Sequence, residues 1–103
     1  MESFDLIIVE QAIIEMENAC EFYNVKVDGL GAKFSEEIFE LLNKILINPL
    51  LFPVKFKQIH EAVLLRFPFV ITYEIIENKV IVLSIFHTKR NPKEKSKTRN
   101  KPQ

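Results

Sequence analysis

His87, Lys89 and Arg90 stand close together near the end of this chain, and Arg66 stands earlier, just ahead of Phe67-Pro68. Side chains of these types could do chemistry or hold an anion. If the two segments meet in space, their cations form a site suited to a phosphate or to a carboxylate of a partner protein. His87 adds a general acid or base, provided that a substrate hydroxyl comes within hydrogen-bond reach. The blander roles are equally physical. A lone histidine at a strand end more often bonds a backbone carbonyl. Arg66 can pair with a helix glutamate, and Arg90 can simply begin a solvated tail.

Other chemistries find little support. No His/Cys spacing suggests a metal, and two glycines are too few for a phosphate-cradling loop, so no cofactor is expected. The single cysteine, Cys20, excludes an internal disulfide and fits a reducing compartment. It falls within an apolar helical pattern, which predicts a buried, inert thiol. The start, MESFDLIIVE, lacks the features of a signal peptide, and no stretch approaches the ~20 apolar residues of a membrane span. A cytoplasmic protein without a membrane partner is expected.

The elements that must position these residues follow from periodicity. Phe4–Val9 is short, apolar and β-branched, and reads as a strand. Over Glu10–Tyr23, Ile13, Met16, Cys20 and Tyr23 recur at helical spacing, opposite several glutamates. Asp28-Gly29-Leu30-Gly31 breaks the pattern. A second helix follows, with Phe34, Ile38, Leu41, Leu42 and Ile45 as its stripe, and Asn48-Pro49 stops it. Two helices so closely joined form a hairpin. Lys55–Ile59 alternates like a half-exposed strand, and Glu61–Phe67 gives another, stopped by Pro68. Phe69–Ile76 and Lys79–His87 are the strongest strands, joined across Glu77-Asn78 as a hairpin at the sheet's centre. Tyr73 reads as core with its hydroxyl reaching an edge, and His60 as part of a turn. The fold class is therefore α+β: an N-terminal strand, then a two-helix hairpin packed on an antiparallel sheet of three to four further strands.

The chain is formally neutral over 103 residues, with 48% apolar residues, enough for one domain with its own core. The charge is divided unevenly. Residues 1–88 hold seven Lys/Arg against thirteen Asp/Glu, a net of −6, while residues 89–103 hold seven against one, a net of +6. Residues 1–90 are expected to form the domain and 91–103 a basic, flexible tail. Such a tail attracts a nucleic-acid backbone without specificity, and no aromatic is interleaved to stack on bases.

Several phrases resemble the RelE/ParE superfamily of type II toxin–antitoxin systems, nearest its ParE-like branch. They are EFY at Glu21–Tyr23, DGLGAKF at Asp28–Phe34, INP at Ile47–Pro49, RFPFVITYEI at Arg66–Ile75 and VLSIFHTKRNP at Val82–Pro92. The resemblance implies a toxin of the plasmid-stabilisation kind, neutralised by a cognate antitoxin in a hetero-oligomer, with homodimerisation also open. ParE-like members act on DNA gyrase, and RelE-like members cleave messenger RNA on the ribosome. Arg66, His87, Lys89 and Arg90 become the target- or partner-binding set. For the nuclease alternative, Arg66, His87 and Arg90 become the catalytic candidates. Lys55 and Lys57 resemble the basic residues that RelE-type nucleases place against RNA, yet lysines on an exposed edge strand look the same. The sequence departs from the family at Val70, where an arginine is frequent, and has no aromatic after Phe86. RNA cleavage needs a proton acceptor and a charge-stabilising cluster together, so these departures weigh more against cutting than against binding. They also leave open an inactive relative that only binds its partner.

Overall fold

The longest β-branched runs take the middle of the sheet, because only strands flanked on both edges and covered on a face can bury so many apolar side chains. In the computed structural model, which describes residues 3–89, the elements are β1 (Asp5–Ile8), α1 (Glu10–Lys26), α2 (Leu30–Ile47), β2 (Val54–Phe56), β3 (Ile59–Val63), β4 (Phe69–Ile76) and β5 (Lys79–His87). Arg90 and the basic segment 91–103 lie outside the described residues. The strand order is β1-β5-β4-β3-β2. β2 to β5 are antiparallel to their neighbours, and β1 adds to β5 in parallel, so the sheet is mixed.

Helix α2 supplies the densest part of the core. Phe34, Ile38, Leu41, Leu42 and Ile45 are all buried, as their spacing predicts. They pack with Ala62, Leu64, Phe69, Ile71, Tyr73, Val80, Val82 and Ile85 of the sheet. Helix α1 differs from expectation at Ile13, while Met16, Cys20 and Tyr23 pack against the core as their spacing predicts. Its buried residues are Ala12 and Ala19, while Ile13 is exposed and Met16, Cys20 and Tyr23 are only partly covered. The stripe is rotated because alanines let the helix backbone approach its neighbours closely.

Four further corrections concern the turns. Gly31 does not break the chain; it is the second residue of α2, close against α1, and only Gly29 takes a left-handed conformation (φ 83°). Lys55–Ile59 is not one strand. Phe56 pairs with Ile59 across Lys57-Gln58, with Lys57 left-handed at φ 54°, so the hairpin turns without any glycine or proline to mark it. His60 therefore lies within β3, buried, and not in a turn. The segment Glu61–Phe67 is extended only to Val63. Beyond it Leu64 donates its N–H to the Phe69 carbonyl, and residues 64–68 form a loop.

The loop ahead of β2 is held from beneath. The Tyr73 hydroxyl donates to the Pro49 carbonyl at 2.6 Å, and the His60 ring lies flat on Tyr73 with its Nδ1 2.7 Å from the Phe52 carbonyl. A carbonyl only accepts, so His60 carries its proton on Nδ1. The Tyr73 hydroxyl reaches a loop carbonyl, not the sheet edge its position suggested.

Candidate functional site

The loop between β3 and β4 meets the end of β5 because β4, which the loop enters, pairs in register with β5. Phe69 is opposite His87, and Thr88 donates its N–H to the Pro68 carbonyl at 2.7 Å. Strand β4 lies between β3 and β5, so the ends of those two strands approach each other through β4. The backbones carrying Arg66 and His87 are thus neighbours, and among the described residues each side chain lines a different hollow.

Arg66 is exposed and lines a hollow of about 450 Å³ with Tyr23, Leu30, Lys33, Phe67 and Pro68. Its loop is tied to α2. Glu37 accepts the Leu65 N–H at 2.6 Å and the Arg66 N–H at 3.2 and 3.3 Å. A helix glutamate does meet this loop, but through the Leu65 and Arg66 backbone amides, which engage both oxygens of Glu37. His87 lines a second hollow of about 230 Å³, between α1 and β5, with Glu15, Asn18, Ala19, Phe22, Phe69 and Ile85. Its Nδ1 accepts the Lys89 N–H at 3.0 Å, and its ring meets Phe69 edge to face. With Nδ1 accepting, a neutral His87 keeps its proton on Nε2. Lys89 is exposed beyond the strand end.

Glu15 explains how the open flank of β5 is covered. Strand β1 pairs only as far as Val82, and the register slips by one residue opposite Thr72/Tyr73. Past that bulge the Ile85 N–H turns to α1 and donates to Glu15 Oε1 at 2.8 Å, while Gln11 donates to Oε2. Val70 is buried mid-sheet, and on the same face the Thr72 and Ser84 hydroxyls bond each other across the strands. Burial pushes the Cys20 thiol up, a hydrogen bond with Ser35 opposes this, and Glu17 adds to it; such a thiol is a poor nucleophile. Lys55 is exposed on edge strand β2, and Lys57 lies in the following turn. No cluster of His, Cys, Asp and Glu among the described residues could hold a metal ion, and no helix there is long and apolar enough to cross a membrane.

Among solved structures, the chromosomal ParDE toxin–antitoxin system from P. aeruginosa aligns with a TM-score of 0.75 at 16% identity, covering 84% of this chain and 97% of that one. The fold is that of RelE and ParE. The intact RelBE complex of E. coli aligns at 0.66 with 18% identity over 84% and 99% of the two chains. A mutant E. coli RelE toxin bound to a RelB peptide aligns at 0.67 with 16% identity over 99% and 100%. No family model matches the sequence, and no curated protein does so significantly. Within this RelE/ParE fold, sequence reasoning missed Lys33, Glu37 and Glu15. Lys33 and Glu37 share a helix face, but nothing local ties that face to a loop 28 or 29 residues further on.

Proposed function

We propose that this chain is the toxin of a type II toxin–antitoxin pair, ParE-like, which docks on a cellular target such as DNA gyrase and is neutralised by a cognate antitoxin. The observation that carries this reading is the extent of the fold match: the aligned part takes in 97–100% of the ParDE and RelBE chains compared. The preference for docking over cutting is supported by the separation of Arg66 and His87 into different hollows. A nuclease needs its proton acceptor and its charge-stabilising group around one reacting atom. Arg66, His87, Lys89 and Arg90 form the contact set in this reading.

Expression of the chain alone from a tight inducible promoter tests it. Growth arrest with filamentation and DNA-damage signalling is expected, relieved by the product of an adjacent small reading frame. Rapid arrest of translation with cleaved messenger RNA points instead to a RelE-like nuclease. Unaffected growth marks an inactive relative and overturns the toxin assignment. An Arg90→Ala variant that stays fully toxic sinks the contact set.

A further inference from the structure

The hollow beside the helix hairpin's tip has a chemistry of its own. Its charged lining residues, Lys33 on α2 and Arg66 on the β3–β4 loop, are both cations and both exposed, and its walls include Tyr23, Leu30, Phe67 and Pro68. Residues 1–88 carry a net charge of −6, so this site opposes the prevailing sign. An anionic partner repelled by the rest of the domain meets local attraction here.

Arg66 is also held in place before any partner arrives. Glu37 binds two successive amides of its loop, and the Leu64 and Thr88 amides fasten the loop's ends to the Phe69 and Pro68 carbonyls. A fastened loop has less freedom left to lose on binding.

We propose that this hollow receives an acidic, apolar peptide segment, with a carboxylate between Lys33 and Arg66 and a large aliphatic or aromatic side chain against Leu30, Tyr23 and Phe67. A volume of about 450 Å³ accommodates such a side-chain pair. A nucleic-acid backbone fits less well, because successive phosphates call for a basic stripe, and two cations beside apolar walls do not make one. The occupant is a stretch of a partner polypeptide in which Asp or Glu adjoins Leu, Ile or Phe. That the partner is an antitoxin rests on the proposed function; the chemistry of the hollow does not. Glu37 is a positioning residue, acting through the Arg66 backbone.

The full-length chain, immobilised, is panned against a phage-displayed library of short random peptides, and the consensus peptide is titrated by fluorescence polarisation. Enriched sequences pairing acidic with large apolar residues are expected. A Lys33→Glu, Arg66→Glu double variant should weaken the consensus peptide by roughly a hundredfold, about tenfold for each charge-assisted contact. Glu37→Gln should weaken it less, since an amide can accept through one oxygen only. Both cations are exposed, so the double variant should unfold like the parent; if it does not, Lys33→Gln and Arg66→Gln make the same test singly. No enrichment, enrichment without acidic residues, or equal binding by the charge variants overturns the proposal. Toxicity on expression reads the proposed function and peptide selection reads this hollow, so either can fail alone.

Discussion

The side chains that α2 buries in the core are large, and those that α1 buries are small. Phe34, Ile38, Leu42 and Ile45 are at most 1% exposed, whereas α1 buries only Ala12 and Ala19 and leaves Ile13, Ile14 and Phe22 about 40% exposed. The difference separates two jobs. Bulky side chains on α2 fill the space over β3, β4 and β5 and carry the burial energy. The alanine face of α1 lets its backbone lie close enough for Glu15 to reach the Ile85 N–H, while Ile13, Ile14 and Phe22 turn outward and Met16, Cys20 and Tyr23 pack at the margin of the core. Fully buried bulk is concentrated in α2, although Phe39 and Ile47 of that helix are exposed, and α1 adds backbone proximity at the edge of the core.

Phe34→Ala should break this arrangement most severely. The ring is fully buried and packs within 4.9–5.4 Å of the rings of Phe69, Phe67 and Tyr23. Its removal should cost about 3–5 kcal/mol in urea unfolding, enough to unfold a marginal domain. Phe22→Ala, which removes a 43% exposed ring from α1, should cost under ~1 kcal/mol. Equal losses would show that both helices carry the core.

Next in size is Gly31→Ala, which tests how closely the helices meet. An added Cβ would collide with the Cys20 carbonyl and lie 2.7 Å from the Asn24 side chain, which itself accepts the Gly31 N–H at 2.8 Å. Alanine ordinarily favours a helix interior by up to ~1 kcal/mol over glycine. Here the collision should win, with a net loss of about 1–3 kcal/mol and weakened α1–α2 contact. A stabilising Gly31→Ala would mean that the helices can part freely.

How much of this was legible in the sequence depended on the range of the interaction. The α2 stripe and the β4–β5 hairpin were readable because periodicity along one element reports a large, continuous buried face. The α1 stripe was legible at Met16, Cys20 and Tyr23, which pack against the core, and misled at Ile13, which follows the same period but falls outside the small-residue face set by Ala12 and Ala19. The Lys57-Gln58 turn was invisible because a left-handed lysine replaces the expected glycine. At the site, Arg66 and His87 were found from local phrases. Their assignment to separate hollows, and the roles of Lys33, Glu37 and Glu15, depend on contacts between distant segments that one sequence does not encode locally.

Tyr73→Phe tests the middle ground, a polar group inside the core that α2 covers. The hydroxyl donates to the Pro49 carbonyl, and loss of that bond should cost about 1 kcal/mol at neutral pH. Burial also pushes the phenol up from 10.0 to about 12. The folded state then holds this proton more tightly than the unfolded state. Its contribution is complete below pH 10 and declines as pH rises from 10.0 toward about 12. Urea unfolding at rising alkaline pH should therefore show a shallower decline for Tyr73→Phe than for the parent, and parallel declines would place the phenol in water.

The smallest expected effect is that of Ile13→Ser, and it bears most directly on the contrast between the helices. By period alone Ile13 belongs to a core stripe, and a core isoleucine replaced by serine should lose several kcal/mol. At 38% exposure it should lose only about 0.5 kcal/mol, from helix propensity and partial contact. A larger loss would mean that α1 sits on the sheet by its aliphatic residues and not by its alanines. In that case Glu15 could not face β5, because Ile13 and Glu15 lie on different sides of the helix, two residues apart. The Glu15–Ile85 hydrogen bond and a mild Ile13→Ser phenotype therefore stand or fall together, and unfolding of Ile13→Ser measured beside Glu15→Ala decides between the two orientations of α1.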